Sequence, residues 1–202
     1  MRKILFILSV LLLLTGCTRF RIKKTATEYI KQNEIILHNE VEVTKIINDT
    51  IPWYFDCNLR EDLAAFDEAL AAFNEANKGE LRMLTQEIRD KKLRIRRSFN
   101  EAIKRKKGYI VYTKTIIDRD SILNQILIID ENNTDKVLNY IHFDDSYMSY
   151  LCNLFLVLAM PVEYNDNGVF DFKVAYEFYR RNITEIEIAA DRIYAKHEKY
   201  FK

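Results

Sequence analysis

The chain has 202 residues, of which 49% are hydrophobic and 30% are charged, and its formal net charge at pH 7 is +1. This near-neutral balance implies no overall electrostatic partner, and no nucleic-acid partner is expected. Only 4 Gly and 2 Pro are present. Such a composition excludes a loop-rich barrel or a disordered stalk, and it favours long helices.

The N-terminal segment has the layout of an export signal. A positive pair at residues 2–3 precedes an apolar run from Ile4 to Leu14, and two small residues, 15 and 16, precede Cys17. A run of about 11 apolar residues suits a signal peptide, whereas a helix that spans a bilayer needs about 20. The pattern therefore predicts a signal peptide at residues 1–16 and not a transmembrane helix.

The four residues Leu-Thr-Gly-Cys at positions 14–17 resemble the lipobox of bacterial lipoproteins. The resemblance implies that a signal peptidase cleaves between Gly16 and Cys17 and that the Cys17 thiol carries a diacylglyceryl group. Two or more acyl chains give stable membrane anchoring. Thr18 follows Cys17, where lipoproteins retained in the inner membrane often carry Asp. The resemblance thus favours the outer membrane facing the periplasm, with the inner membrane and the cell surface left open.

Residues 17–24 are predicted to form the lipid anchor and a basic tether, followed by a single globular domain over residues 25–202. The tether places Arg19, Arg21, Lys23 and Lys24 beside anionic headgroups, which strengthens membrane binding.

In the first half of that domain the apolar spacing predicts a helix over residues 22–38, an extended segment over 40–51 and a strong helix over 59–77. Asn77 to Gly79 is a typical helix end. A further helix runs from Glu80 to about Lys107 and is stopped by Gly108. These two long helices form either a hairpin or one kinked helix, and the spacing of the apolar residues does not distinguish the two arrangements.

Three extended segments follow, at residues 109–117, 122–129 and 137–143, and short polar turns between them predict an antiparallel meander. Ser146 is expected to cap a buried helix over residues 147–160.

The last helix carries the most regular apolar stripe, with a 4-3 spacing over about four heptads. The stripe consists of Phe172, Tyr176, Tyr179, Ile183, Ile186, Ala190, Ile193, His197 and Tyr200. We expect it to pack within the chain against the helix that precedes Lys107, and not in a dimer. The fold class is a helix-rich α+β fold with long helices packed on a small antiparallel sheet, the alternative being a mainly α bundle with a minor β-meander.

Two cysteines remain after Cys17. Export to an oxidising compartment allows Cys57 and Cys152 to form a disulfide. A buried free thiol at Cys152 is the alternative, because this residue lies in an apolar run.

No residue pattern predicts catalysis, a metal site or a cofactor. The histidines, His38, His142 and His197, lack the spacing of zinc ligands, and His197 lies on the apolar stripe as a packed side chain. The isolated glycines do not form a phosphate-binding loop. We therefore expect a protein that is not an enzyme.

The charges are unevenly distributed. Residues 91–107 contain nine basic residues and one acidic residue, net +8, whereas residues 118–171 contain ten acidic and two basic residues, net −8. Arg96, Arg97, Lys104 and Arg105 could form a basic interaction face. The alternative is that the two segments are solvated and neutralise each other.

Two functional classes stay open. The first is an envelope lipoprotein that acts as a non-enzymatic protein-interaction or structural module, with a protein partner in the envelope. The second is a lipoprotein that binds a small ligand or lipid in a pocket between the sheet and the helices. An aromatic-lined cavity of about 300 Å³ or more would favour the second class, and an exposed apolar surface would favour the first.

Overall fold

The structure is a computed structural model. It describes residues 2–33, 39–76, 80–104, 106–117, 121–161, 163–164 and 167–202, without the side chains of residues 2–15 and 82. The helices are α1 (Arg2–Asn33), α2 (Cys57–Glu75), α3 (Leu81–Ala102), α4 (Asp145–Ala159) and α5 (Phe172–Glu198). The strands are β1 (Glu40–Thr50), β2 (Lys107–Ile116), β3 (Ile122–Asp130) and β4 (Val137–His142). The prediction of a helix-rich α+β fold with a small antiparallel sheet is confirmed.

The chain forms two compact units where the sequence predicts one domain. The sheet unit comprises residues 1–51, 106–144 and 198–202, and the helical unit comprises residues 52–105 and 145–197. The chain leaves the sheet unit after β1, forms the helical hairpin, and returns for the remaining strands.

The sheet has the strand order β1-β2-β3-β4, and every neighbouring pair is antiparallel, as the meander predicts. The register of β1 shifts between Val43 and Lys45, which marks a β-bulge. At the bulge the Thr44 hydroxyl donates a hydrogen bond of 3.2 Å to the Tyr112 carbonyl oxygen.

Gly108 belongs to the sheet, whereas the sequence predicts that it stops the preceding helix. Helix α3 ends at Ala102, and Gly108 pairs with Asp130 within β2 and β3. A Cβ added at Gly108 would lie 2.8 Å from Ile51 Cδ1 and 2.9 Å from the Ile129 carbonyl oxygen. Glycine is needed there because the Ile51 side chain and the β3 backbone lie too close for a Cβ.

Helix α1 covers one face of the sheet. Ile22, Ala26 and Ile30 are buried and pack in a cluster with Val111 and Leu127. These three positions have the four-residue spacing that places them on one side of a helix. The C-terminal part of the predicted helix and His38 lie outside the described residues. Because Ile22 is 1% exposed, the folded part begins before Thr25, inside the segment that the sequence assigns to the tether.

Helices α2 and α3 form a hairpin. The Asp56 side chain caps α2 by accepting hydrogen bonds from the backbone N–H groups of Asn58 and Leu59, at 3.0 Å and 3.4 Å. Helix α2 ends at Glu75, and Ala76 is extended. The buried side chains of the two helices share one core cluster, which includes Leu59, Leu63, Phe66, Ile88 and Ile95. The predicted helix end at residues 77–79 lies outside the described part of the chain.

Helix α4 begins at Asp145, so Ser146 lies inside its first turn and does not precede it. The helix buries one face rather than its whole circumference: Tyr147, Leu151, Leu154 and Val157 are buried, and Ser149 and Asn153 are exposed.

The stripe on α5 is only partly buried, which corrects the sequence-based prediction. Ile186, Ala190 and His197 are buried, but Tyr176 is 63% exposed and Tyr179 is 42% exposed. Ala175 is buried in place of Tyr176. In a straight helix of 3.6 residues per turn, Tyr176 is rotated about 80° from Ile186 and Ala175 only about 20°, so a seam with a 3.5-residue period does not stay on one face.

Candidate functional site: the lipid anchor and its surroundings

Cys17 lies within α1 and not on a separate tether. Gly16 and the free thiol of Cys17 are both exposed, and a Cβ added at Gly16 would meet no atom within 4 Å. The thiol is therefore accessible to an enzyme that alkylates it. Ile22, the first buried residue after Cys17, is five positions further along the helix, which corresponds to about 7.5 Å of rise.

The side of α1 that is not packed against the sheet carries an exposed stripe. Residues three, four and seven positions apart share one side of a helix, so Phe20, Arg21 and Lys24 lie on the same side as Cys17. Phe20 is 70% exposed. The Arg21 guanidinium forms an ion pair of 3.0 Å with Asp135, and Lys24 Nζ lies 3.8 Å from the Glu28 carboxylate.

A family profile described as "Prokaryotic membrane lipoprotein lipid attachment site" matches residues 1–18. The chain carries a bacterial lipoprotein attachment site. The match covers the signal and Cys17 and supports a lipid-anchored protein of the cell envelope. No curated protein and no solved structure matches the chain. In the part of the chain that the structure describes, no helix is long and apolar enough to cross a membrane.

A groove in the sheet unit of the lipoprotein lies between α1 and the start of β4, with a volume of about 700 Å³. Its lining is mostly charged or polar, and Tyr29 is its only aromatic residue. The lining residues are Arg21, Lys24, Thr25, Glu28, Tyr29, Gln32, Asp135, Lys136 and Val137. The groove therefore has the position expected of a pocket between sheet and helix, without an aromatic lining.

The basic segment of the lipoprotein is mostly solvated. Arg96, Arg97 and Lys104 are exposed, and Arg105 lies outside the described residues. The ion pairs of this segment join neighbours along the chain: Lys91 lies 3.8 Å from Glu87, and Lys104 pairs with Glu101. Exposed pairs of this kind contribute about 0 to 1 kcal/mol each, so they balance charge more than they stabilise the fold.

His197 is a packed side chain, 3% exposed, in the helical unit. Its Nε2 and the Tyr54 hydroxyl share a hydrogen bond of 2.8 Å, and its ring lies 4.9 Å from the Phe55 ring. Burial raises the pKa of Tyr54 to about 12. A buried tyrosine that keeps its proton and a buried histidine that bonds to it form a structural pair, because neither is open to a substrate.

Cys57 and Cys152 are both free thiols in the structure, so the disulfide that export allows is not present in it. Cys57 is the first residue of α2 and Cys152 lies in α4. Cys152 lines a groove of about 450 Å³ between α4 and α5, together with Tyr179, Glu187 and Asp191. Burial and these two carboxylates raise the pKa of the Cys152 thiol. A raised pKa keeps the thiol protonated and makes it a weak nucleophile.

Lys92 is buried, although the sequence groups it with the solvated basic segment. It is 3% exposed, and its ammonium donates a hydrogen bond to the Met160 carbonyl oxygen just after α4. Burial and the neighbouring Arg96 lower the pKa of Lys92 to about 8. Its position four residues after Ile88 and three before Ile95, both fully buried, is the sequence signal that places it on the apolar side of α3.

We expect Lys92 to make the stability of the lipoprotein depend on pH. The pKa of Lys92 falls from 10.5 in the unfolded chain to about 8 in the folded chain. Between these two values the unfolded chain binds more protons, so the free energy of unfolding should rise with pH, by at most about 1.4 kcal/mol per pH unit. Well below pH 8 the Lys92 side chain is charged in both states, and this dependence vanishes.

The measurement is urea unfolding at several values between pH 8 and pH 9.5, followed by the fluorescence of the single tryptophan, Trp53. Lys92→Met should lack the rise, and Lys91→Met, which alters the adjacent half-exposed lysine, should keep it. The raised pKa values of Tyr54, Cys57 and Cys152 act in the opposite direction, and their contributions cancel in the comparison. Equal slopes in all three proteins would contradict the assignment.

Proposed function

We propose that this lipoprotein is a non-enzymatic module of the cell envelope that binds a protein partner through the N-terminal half of α5. Its lipid is placed in the outer membrane, and its folded part faces the periplasm. The proposal of the outer membrane is supported by Thr18 after Cys17, and the periplasmic side by the basic residues that follow.

The exposed half of the α5 stripe carries this proposal. Phe172, Tyr176 and Tyr179 are 36%, 63% and 42% exposed. Large aromatic side chains are enriched at protein interfaces, where they bury much area at little entropic cost. The same stripe is buried within the chain at Ile186. A partner helix that packs along the exposed N-terminal half of the stripe would continue the same kind of apolar contact.

The charge beside this surface indicates the chemistry of the partner. Tyr179 also lines the α4–α5 groove, whose other side chains include Glu187 and Asp191. Both carboxylates are on residues exposed along α5. A helix with an apolar side and flanking Lys or Arg residues would therefore complement both the rings and the acids.

Two observations support a role other than catalysis. The Cys152 thiol holds its proton because its pKa is raised. His197 is 3% exposed and bonded to Tyr54. In the helical unit, the Cys152 thiol is thus weakly nucleophilic, and the His197 ring is inaccessible.

Photo-crosslinking in intact envelopes tests the proposed partner surface. A p-benzoylphenylalanine residue in place of Tyr176 should give a crosslinked adduct with one other envelope protein. The same residue in place of Glu185 should give little, because Glu185 is exposed and lies nine positions further along α5, on the opposite side of the helix. A crosslinked adduct with twice the mass of the chain would show that the lipoprotein associates with a second copy of itself and not with a different protein. Absence of any protein adduct at position 176, in a variant that is folded and membrane-bound, would contradict the proposal.

The groove of about 700 Å³ between α1 and β4 favours a second candidate function, the binding of a small ligand. Its charged lining points to a polar or ionic ligand and away from an acyl chain. Native mass spectrometry of the protein released from envelopes separates the two functions. A bound small molecule that is lost in Arg21→Gln would favour the ligand, and a mass equal to that of the acylated chain alone would favour the protein partner.

A further inference from the structure

We propose that the outward side of α1 lies against the membrane, with Phe20 inserted at the headgroup level, so that the sheet unit is held on the bilayer in one orientation by its fold as well as by its lipid. The surface consists of Cys17, Phe20, Arg21 and Lys24, and we call it the α1 membrane face. Arg19 and Lys23 are exposed at the same end of the helix but on other sides of it. Its occupant is the membrane in which the Cys17 lipid resides. This proposal does not depend on a protein partner for α5.

The first step is the short distance between the lipidated residue and the folded part of the chain. Cys17 lies inside α1, and Ile22 is already 1% exposed against the sheet. Five residues of helix span only about 7.5 Å, so the acylated residue and the packed part of α1 are within about one nanometre of each other. The sheet unit must therefore stay close to the headgroups.

The second step is the direction in which the exposed side of α1 points. Ile22, Ala26 and Ile30 fix the opposite side of α1 on the sheet, so the helix cannot rotate to hide the α1 membrane face. Phe20 is 70% exposed on that face and lies one turn from Cys17. A large aromatic ring next to a lipidated residue finds its apolar environment in the bilayer interface, where aromatic side chains concentrate.

The third step is the positive charge at this end of α1. Residues 18–27 contain four basic residues and no acidic one, and all four are exposed. Arg21 and Lys24 have carboxylates nearby, but both pairs lie on the surface, where such pairs are weak. Arg19 and Lys23 add two further charges to the same end of the helix. Each basic residue close to an anionic surface favours the docked state by about fivefold.

Lipid crosslinking in reconstituted vesicles tests this arrangement with the full acylated protein. A photoreactive benzophenone side chain replaces Phe20, and a matched one replaces Glu42, which is exposed on β1. In vesicles of phosphatidylethanolamine and phosphatidylglycerol, position 20 should give a phospholipid adduct and position 42 should give almost none. Equal adduct yields at the two positions, or none at position 20, would overturn the proposal.

A charge variant separates docking from lipid anchoring. Replacing Arg19, Lys23 and Lys24 by Gln should reduce the adduct at position 20 several-fold, while the acylated protein still floats with the vesicles. The protein that carries only the benzophenone at position 20 should lose adduct to a similar extent in vesicles without phosphatidylglycerol, or at high salt. If the adduct yield is unchanged under all three conditions, the Cys17 lipid alone positions the helix, and the α1 membrane face has no binding role.

Discussion

Cys17→Ser should release the protein from the membrane or leave it as an uncleaved precursor. The thiol is the one readily alkylated nucleophile in the attachment site, and each buried methylene of an acyl chain contributes about 0.8 kcal/mol to membrane binding. Intact mass spectrometry of the membrane-extracted protein should show a chain that starts at Cys17 with acyl mass added. In Cys17→Ser that species should be missing.

Cys57→Ser is the matched control, because it removes a thiol from the folded part and leaves the attachment site intact. Its membrane fraction and its acyl mass should equal those of the unsubstituted protein. A chain from the native host that is soluble, normally processed and free of acyl groups would contradict the anchoring role of Cys17.

Ile186→Asp should destabilise the helical unit strongly. Ile186 is 8% exposed in α5, so the substitution removes a packed apolar side chain and buries a carboxylate without a partner. The combined loss in the free energy of unfolding should be about 3 to 5 kcal/mol. Thermal unfolding followed through Trp53 should show a large fall in the midpoint.

Ile188→Asp makes the same chemical change two positions further along the same helix, where the side chain is 46% exposed. Its effect should stay within about 0.5 kcal/mol. Similar losses from both substitutions would mean that Ile186 is not a core residue of α5.

The strands could be predicted from the sequence because their signals are local. Runs of β-branched residues between polar turns place β2, β3 and β4 within two residues of their observed bounds. The end of α3 was placed too late because residues 103–107 favour a helix by themselves. The structure instead uses Lys106 in the sheet unit, where its carbonyl oxygen accepts a hydrogen bond of 2.8 Å from the Ile51 N–H. Such a tertiary contact leaves no trace in a local pattern.

The two errors on the helix surfaces have a related cause. The 4-3 spacing of the α5 stripe predicts that Tyr176 is buried, and the charge of Lys92 groups it with the solvated basic segment. The structure exposes Tyr176 and buries Lys92, because burial is decided by which neighbouring elements reach each side of the helix. The Met160 carbonyl that accepts the Lys92 hydrogen bond belongs to a segment 68 residues away in the sequence.

The attachment site was predictable because processing enzymes read it as a short linear pattern that ends at Cys17. The α1 membrane face was not, since its direction depends on the docking of Ile22 on the sheet. The α1–β4 groove also needs Asp135, which is 114 residues from its ion-pair partner Arg21.

The bulge in β1 has a consequence for copies that share one membrane. Lipid-anchored molecules diffuse in two dimensions, so neighbouring copies meet at a high effective concentration. β1 is an edge strand of 11 residues, and a long flat edge is a template on which a second chain can add a strand. The shift between Val43 and Lys45 breaks the regular spacing of its backbone groups, and Glu40, Glu42 and Lys45 line it with exposed charges. The anchoring that crowds the molecules is thus accompanied by an edge that resists aggregation.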